Sequence, residues 1–371
     1  MGNKIKIFDF TLFIVPLIIT ALSIALIYSL VFSGDDVNLA LRQGIFAAGS
    51  IAIAVAISFS DYRALRGLWW VFYLLSLLLL LYVDLFGHVS GGAMRWIDLG
   101  FFQLQPSEIA KVGVYIMLSS FLCGKIGAMR IKDYIVSIIL TAIPFILILK
   151  EPDLGTALVV IFIYIVMILA SKPNLKQTIA ISATILILAG TFLLSVFNVG
   201  VFGRILKDYQ RSRVFTFIDP GRDPYDQGYN VRQAQIAVGS GGIFGKGLGR
   251  GSQSQLEFLP KPHTDFIFAG AGEALGFFGS SFLILLYLYL IYRVLTISTL
   301  AKDTFGSLLA IGVAAMLFFQ TVVNIGMNLG LMPVTGIPLP LLSYGGSSLL
   351  VTYFSLGVVQ SIFIRHRKIN F

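Results

Sequence analysis

Asp265 stands where a polar stretch runs into a helix-length apolar one, within residues 258–279 (FLPKPHTDFIFAGAGEALGFFG). A carboxylate at such a water–membrane boundary can act as a general base, taking a proton from a polar nucleophile. Its neighbours suit that role. His263 and Thr264 are polar while Phe266, Ile267 and Phe268 are apolar, and partial desolvation raises a carboxylate pKa toward a useful value. The competing reading is an acid that caps a helix beginning at Phe266, a position where aspartate is common. The residues alone leave both readings open.

Other groups with chemical potential are scattered along the chain. Glu108 and Lys111 lie three apart on one face of an apolar segment, and ionisable groups inside a membrane are costly enough that they face a polar cavity or each other. Arg95 is placed to meet an anionic ligand or to pair with nearby Asp98. The glycine run at 239–251 (GSGGIFGKGLGRG) can form N–H concavities that hold phosphate oxygens, with charge from Lys246 and Arg250. It lacks the Walker spacing, and a tightly turned loop using its glycines for positive φ is as good a reading. Glu273, about two turns beyond Asp265, is a further intramembrane acid. The three histidines, His88, His263 and His366, form no zinc pattern.

The elements that must position these groups follow from composition. Of 371 residues 57% are hydrophobic and only 12% charged, which excludes a soluble domain of this size. The mean hydropathy is +0.88. Apolar runs of roughly 20 residues, enough to cross a bilayer core of about 30 Å as helix, recur throughout. Spans are predicted at residues 8–32, 43–60, 68–86, 106–123, 134–149, 154–170, 178–199, 266–291, 305–329 and 347–364. The chain reads as an all-α polytopic membrane protein with about ten transmembrane helices, a single integral membrane domain over residues 1–371. The division between 134 and 170 rests on Lys150, Glu151, Pro152, Asp153 and Gly155 as a helix-breaking hairpin.

Lys and Arg resist translocation, and with the N-terminus inside fourteen of them flank cytoplasmic ends. Only Arg42, Arg95 and Lys150 fall in the short loops opposite. Both termini are therefore expected in the cytoplasm, with a large extracytoplasmic loop, residues 200–265, between helices 7 and 8. The net charge of +9 is mostly this topology signal and argues for no nucleic-acid partner. A lone cysteine, Cys123, excludes an intramolecular disulfide, and the first apolar segment is too long for a signal-peptide core. The 200–265 loop concentrates nine Lys/Arg and six Asp/Glu in a chain otherwise starved of charge. Short surface helices broken at Pro220, Gly221 and Pro224 are expected there.

Four segments, QSQLEFLPKPHTDFIFAGAGEALG, RWIDLGFFQLQPSEIAK, EPDLGTAL and TGIPLPLLSYGGSSLL, resemble motifs of the SEDS (shape, elongation, division and sporulation) family. The resemblance spans nearly the whole chain and is nearer the RodA-like elongation branch than the FtsW-like division branch. Ala274 in GEALG departs from the family, where an acid is frequent. The resemblance implies a peptidoglycan glycosyltransferase that polymerises lipid II at the outer face of the bacterial inner membrane. Asp265 would be the catalytic base, deprotonating the 4-hydroxyl of an incoming N-acetylglucosamine for an inverting β-1,4 transfer. A divalent cation, Mg2+ or Mn2+, or loop arginines would neutralise the leaving pyrophosphate, with no organic cofactor.

Glu108, Lys111, Arg95, Arg213, Arg232, Asp153, Lys246 and His263 are assigned on motif positions to the substrate, pyrophosphate or cavity, and the metal ligands are left unassigned. Gly345, Gly346, Ser347 and Ser348 suit a turn buried in protein. The chain has no Ser-x-x-Lys arrangement of its own, so crosslinking is expected from a class B penicillin-binding protein partner, alongside membrane lipids and other elongation-complex proteins. Two alternatives come from other classes: a flippase for lipid-linked precursors, or a non-catalytic scaffold of the elongation complex. A flippase would show ionisable groups near mid-bilayer and paired similar halves, and the sequence offers no convincing internal repeat.

Overall fold

A computed structural model describes residues 8–31, 38–90, 93–100, 102–200, 203, 208–219, 227–256, 258–259 and 262–366. The helices α1 (Thr11–Val31), α2 (Asn38–Phe59) and α3 (Trp69–Phe86) lead into a small antiparallel sheet. Its strands are β1 (His88–Ser90), β2 (Ala93–Asp98) and β3 (Gln103–Leu104), paired in that order. Then come α4 (Pro106–Leu122), α5 (Ile131–Lys150), α6 (Leu154–Ala170) and α7 (Leu175–Val196). Two shorter, more polar helices, α8 (Asp208–Ile218) and α9 (Gln227–Ser240), precede α10 (Ile267–Leu300), α11 (Thr304–Asn328) and α12 (Gly346–Ile364).

Eight of these helices are long and apolar enough to cross a membrane. α4 and α6, at 17 residues each, coincide with the fourth and sixth expected spans and are shorter. The hairpin at Lys150–Asp153 separates α5 from α6 where the helix-breaking residues stand. α8 and α9 are the expected short helices, while the break at Pro220, Gly221 and Pro224 lies outside the described residues. The sheet was not foreseen: its pairing satisfies backbone groups of a loop crossing the end of an apolar bundle.

α4 and α12 bury residues around their whole circumference and, with α11, which exposes only a stripe through Phe318 and Val322, form the centre, whereas α2, α3, α5 and α7 bury one face and leave large apolar side chains outward. Polar contacts gather at the two ends of the bundle. At one end, Asp303 accepts from Tyr62 (2.7 Å), Arg63 (3.1 Å) and the Gly306 N–H (2.7 Å), and Arg293 pairs with Asp9 (2.5 Å). At the other lie the sheet, the α5–α6 hairpin, α8, α9 and Asp265.

α10 is two helices in one run. Gly276 has φ 67° and ψ −164°, a conformation open in practice to glycine alone. The glycine run closes on this break. Phe277 and Phe278 N–H groups donate to the carbonyls of Gly242 (2.9 Å) and Ile243 (3.2 Å), and those of Lys246 and Gly247 donate to Glu273 (3.0 Å) and Ala274 (3.0 Å). A Cβ on Gly276 would collide with the backbone nitrogen of Gly245. Gly276→Ala is therefore expected to cost at least ~1 kcal/mol through strain and the lost fit. Thermal unfolding in detergent checks it, and an unchanged midpoint would refute the docking account.

Candidate active site

Asp265 is half-buried at the entrance to α10, and the main chain around it is held from two sides, the second of them backed by α2. From α11, Asn324 and Asn328, both fully buried, donate to the Asp265 carbonyl at 3.1 and 3.0 Å. They lie four apart and so share one helix face. From the segment after α11, Ser343 Oγ donates to the Thr264 carbonyl (2.7 Å) and the Tyr344 N–H to that of His263 (2.8 Å). The His263 ring stands edge-on to Tyr344 at 5.9 Å. From α2, Gln43 donates to the Ser343 carbonyl (3.2 Å) and accepts from the Gly345 N–H (3.3 Å). Successive carbonyls on both sides of the carboxylate are thus fixed, which presets where it points.

The cap of α10 falls on Phe266, so Asp265 stands one residue before the capping position. Asn328 Oδ1 accepts from the Ala269 N–H (3.1 Å) and tethers that first turn to α11. Arg213 of α8 donates to the Thr335 carbonyl (2.9 Å). Its guanidinium and the Asp265 carboxylate come within 3.9 and 3.7 Å of where a Cβ on Gly336 would sit. The structure therefore brings an acid and a cation to one glycine, beside a small cavity of about 40 Å³ lined by Arg213, Thr216, Gln235 and Val334. Such a pairing can place a base against a hydroxyl and a positive charge near an anionic leaving group.

A second assembly braces α4 and α6. Asp153 caps α6 through Thr156 N (3.1 Å) and also accepts from Gln105 (3.1 Å) and Ser107 (3.0 Å), just before Glu108. Glu108 and Lys111 close on each other at 2.7 Å, 1–2% exposed. Ser347 joins the two assemblies, accepting from Gln105 N (3.1 Å) and donating to Gln103 O (2.9 Å). Of the two readings offered for Arg95, an anionic ligand or Asp98, the second is not formed: Arg95 donates to the carbonyls of Glu151 (3.0 Å) and Pro152, while Asp98 accepts from Gly100 N (2.8 Å). A guanidinium fork reaches two successive carbonyls of a tight hairpin better than one exposed carboxylate.

Lys246 pairs with the fully buried Glu273 at 2.9 Å. The N–H groups of Gln253 (2.9 Å) and Ser254 (3.1 Å) and the Ser254 hydroxyl (2.7 Å) complete that carboxylate's shell. The glycine run thus turns its backbone toward α10 and its lysine toward Glu273. Arg232 is exposed on α9.

The buried amides Asn324, Asn328 and Gln43 escaped sequence reasoning, although an amide inside an apolar run carries the same signal of cost as a charge. Glu151 was also missed as a site of tension. It is 2% exposed, and among the described residues both carboxylate oxygens lack hydrogen-bond partners. Burial, then Asp153 and Asp84, push its pKa up to about 9 despite the opposing Arg95. The folded chain holds a proton that the unfolded chain releases above the ordinary 4.5, so stability falls as pH rises from there to about 9 and then levels. Glu151→Gln is expected to remove that slope and raise thermal stability at neutral pH. Unfolding midpoints of both proteins across that range decide it, an unchanged slope counting against the account.

Fold and site together define a polytopic helical membrane protein with a carboxylate held at one end of the bundle. The chain belongs to the FtsW/RodA/SpoVE family, described as "Cell cycle protein", which matches residues 4–368. It is 39% identical to the peptidoglycan glycosyltransferase MrdB of Escherichia coli K12, over 97% of this chain and 94% of the relative. It is 32% identical to the peptidoglycan glycosyltransferase RodA of Treponema pallidum, over 96% and 97%. Among solved structures it resembles Thermus thermophilus RodA (TM-score 0.70, 32% identity, 96% of each chain). It also resembles a chain of a peptidoglycan synthase complex that coordinates polymerization and crosslinking (TM-score 0.78, 34% identity, 97% and 98% covered).

Proposed function

We propose that this chain polymerises lipid II into glycan strands as an inverting peptidoglycan glycosyltransferase at the outer face of the bacterial inner membrane, during cell elongation. The observation that carries the reading is the Asp265 carboxylate, its flanking carbonyls held, meeting Arg213 at Gly336. Asp265 takes the proton from the 4-hydroxyl of the incoming N-acetylglucosamine as that oxygen bonds to the anomeric carbon of the growing strand. The bond from that carbon to the polyprenyl pyrophosphate breaks in the same displacement, converting an α-linkage to β-1,4 without a covalent enzyme intermediate. Arg213 supports the charge on the departing pyrophosphate.

Among the described residues no three His, Cys, Asp or Glu side chains cluster as a metal site. A single carboxylate suits a cation carried in by pyrophosphate oxygens, and Mg2+ or Mn2+ in that role would add positive charge at the leaving group. His263, Arg232, Arg95, Asp153, Glu108, Lys111 and Lys246 shape the surroundings, the last five through the contacts described. Glu108 and Lys111, intramembrane charges that a flippase would expose along a passage, are closed on each other, and Glu273 is closed on Lys246. A class B penicillin-binding protein is the proposed crosslinking partner, in keeping with the complex that one similar structure belongs to.

Purified protein incubated with lipid II, with and without a divalent cation and a cognate class B penicillin-binding protein, is expected to yield glycan polymer. Lipid II translocation without polymer under every condition would replace the reading with the flippase.

A further inference from the structure

A groove of about 710 Å³ runs between α1 and α2 near the end of the bundle that carries Asp265. Ile24, Ala25 and Tyr28 form one wall, and Ala40, Gly44 and Ala48 the other. Small residues facing each other on neighbouring membrane helices ordinarily let the backbones close together. Here they leave a slot, and a Cβ on Gly44 would meet nothing within 4 Å.

The side chains behind the slot explain why it stays open. Ser23 and Gln43, both fully buried, bond each other at 3.2 Å, and each reaches across to the segment before α12. Ser23 donates to the Leu342 carbonyl (2.5 Å), and Gln43 donates to that of Ser343. These bonds tie the two helices to each other and to that segment at the back of the slot, and leave its outer side unfilled. The same segment holds the carbonyls of Thr264 and His263, so one layer of side chains separates the groove from the peptide carrying Asp265. At the upper end Ser29 is tied to Gly249 N (2.6 Å) and Gln255 (2.7 Å), fixing α1 under the strap that leads toward Asp265.

We propose that this groove holds the polyisoprenoid chain of a lipid-linked substrate whose pyrophosphate and sugars lie at Asp265 and Arg213. The inference rests on the glycosyltransferase reading for the position of the headgroup. The slot is of the size that ligand pockets reach, apolar along its length, open to the bilayer side and anchored to the reacting segment at its back. A flexible methyl-branched tail can lie along it, and its burial there adds binding that is the same in ground and transition states. Such binding appears in KM and not in kcat.

The test fills the slot. Gly44→Phe is expected to raise KM for full-length lipid II by at least about tenfold with kcat unchanged, and to leave a short-chain lipid II analogue polymerised as by wild type. Gly49→Phe is the control, on the same helix where a Cβ also meets nothing within 4 Å but outside the groove lining; it should behave as wild type with both substrates. Ala25→Phe serves from the opposite wall should Gly44→Phe not fold. An unchanged KM for the long chain, or an equal rise with the short one, overturns the proposal. Lipid II carrying a photoreactive group near the end of its tail gives a readout independent of turnover. Labelled peptides from residues 24–28 and 40–48 support the groove, and labelling confined to other helices overturns it. Absence of polymer from the wild type would remove the glycosyltransferase reading while that labelling still decides the groove.

Discussion

Asp265→Asn is expected to lower glycan polymerisation by about 10²- to 10⁴-fold, the range over which a general base contributes, with the fold intact. Asparagine keeps the size of the side chain and removes the ability to take a proton. The bonds from Asn324, Asn328, Ser343 and Tyr344 go to main-chain carbonyls and survive the change. The loss should therefore fall in kcat, with KM and the unfolding midpoint near wild type. Gel analysis of the glycan product alongside thermal unfolding separates the outcomes. Equal activity in a well-folded Asp265→Asn protein would remove Asp265 as the base.

The second large effect is on stability. Lys111→Met leaves the Glu108 carboxylate buried without its counter-ion, and breaking a buried pair from one side costs about 3–5 kcal/mol. The pair sits in α4 at 2.7 Å with almost no exposure, so water cannot step in readily. Glu108→Gln combined with Lys111→Met removes both charges and is expected to recover most of that loss, a coupling visible only in the double variant. Unfolding midpoints of the two single variants and the double variant make the cycle. Losses that simply add would show that the two charges are not a unit. Polymerisation by the double variant then reports whether the pair does more than brace α4.

How far the sequence could be read depends on the range of each interaction. The spans were legible because each apolar run carries its own signal, and the α5–α6 division followed from residues within the hairpin. Asp265 and its approach to α10 were legible for the same reason. What the sequence concealed was pairing at a distance. Lys246 has no acid beside it in the chain, and its partner Glu273 becomes visible only when the glycine run folds back on α10. Arg95 offered Asp98 as a local partner, and the carbonyls it uses come from a hairpin more than fifty residues away. The kink at Gly276 lies in an unbroken apolar run, where hydropathy sees length and not direction. Asn324 and Asn328 were plain in NIGMN, but only their approach to residue 265 gives them a task.

The kink also bears on how the surrounding bilayer acts on the site. Lipid-facing helices tilt to match the thickness of the membrane around them. The stretch of α10 beyond Gly276 presents Phe277, Phe278, Phe282 and Leu285 outward and is exposed to that adjustment. A continuous helix would carry the tilt to its first turn as a rigid lever. Its hydrogen-bond ladder is interrupted at Gly276, and the glycine run bonds to residues on both sides of that break, so α10 changes direction at a clamped joint. A tilt of the outward-facing stretch would have to pass this clamped joint before it reached the turn that follows Asp265.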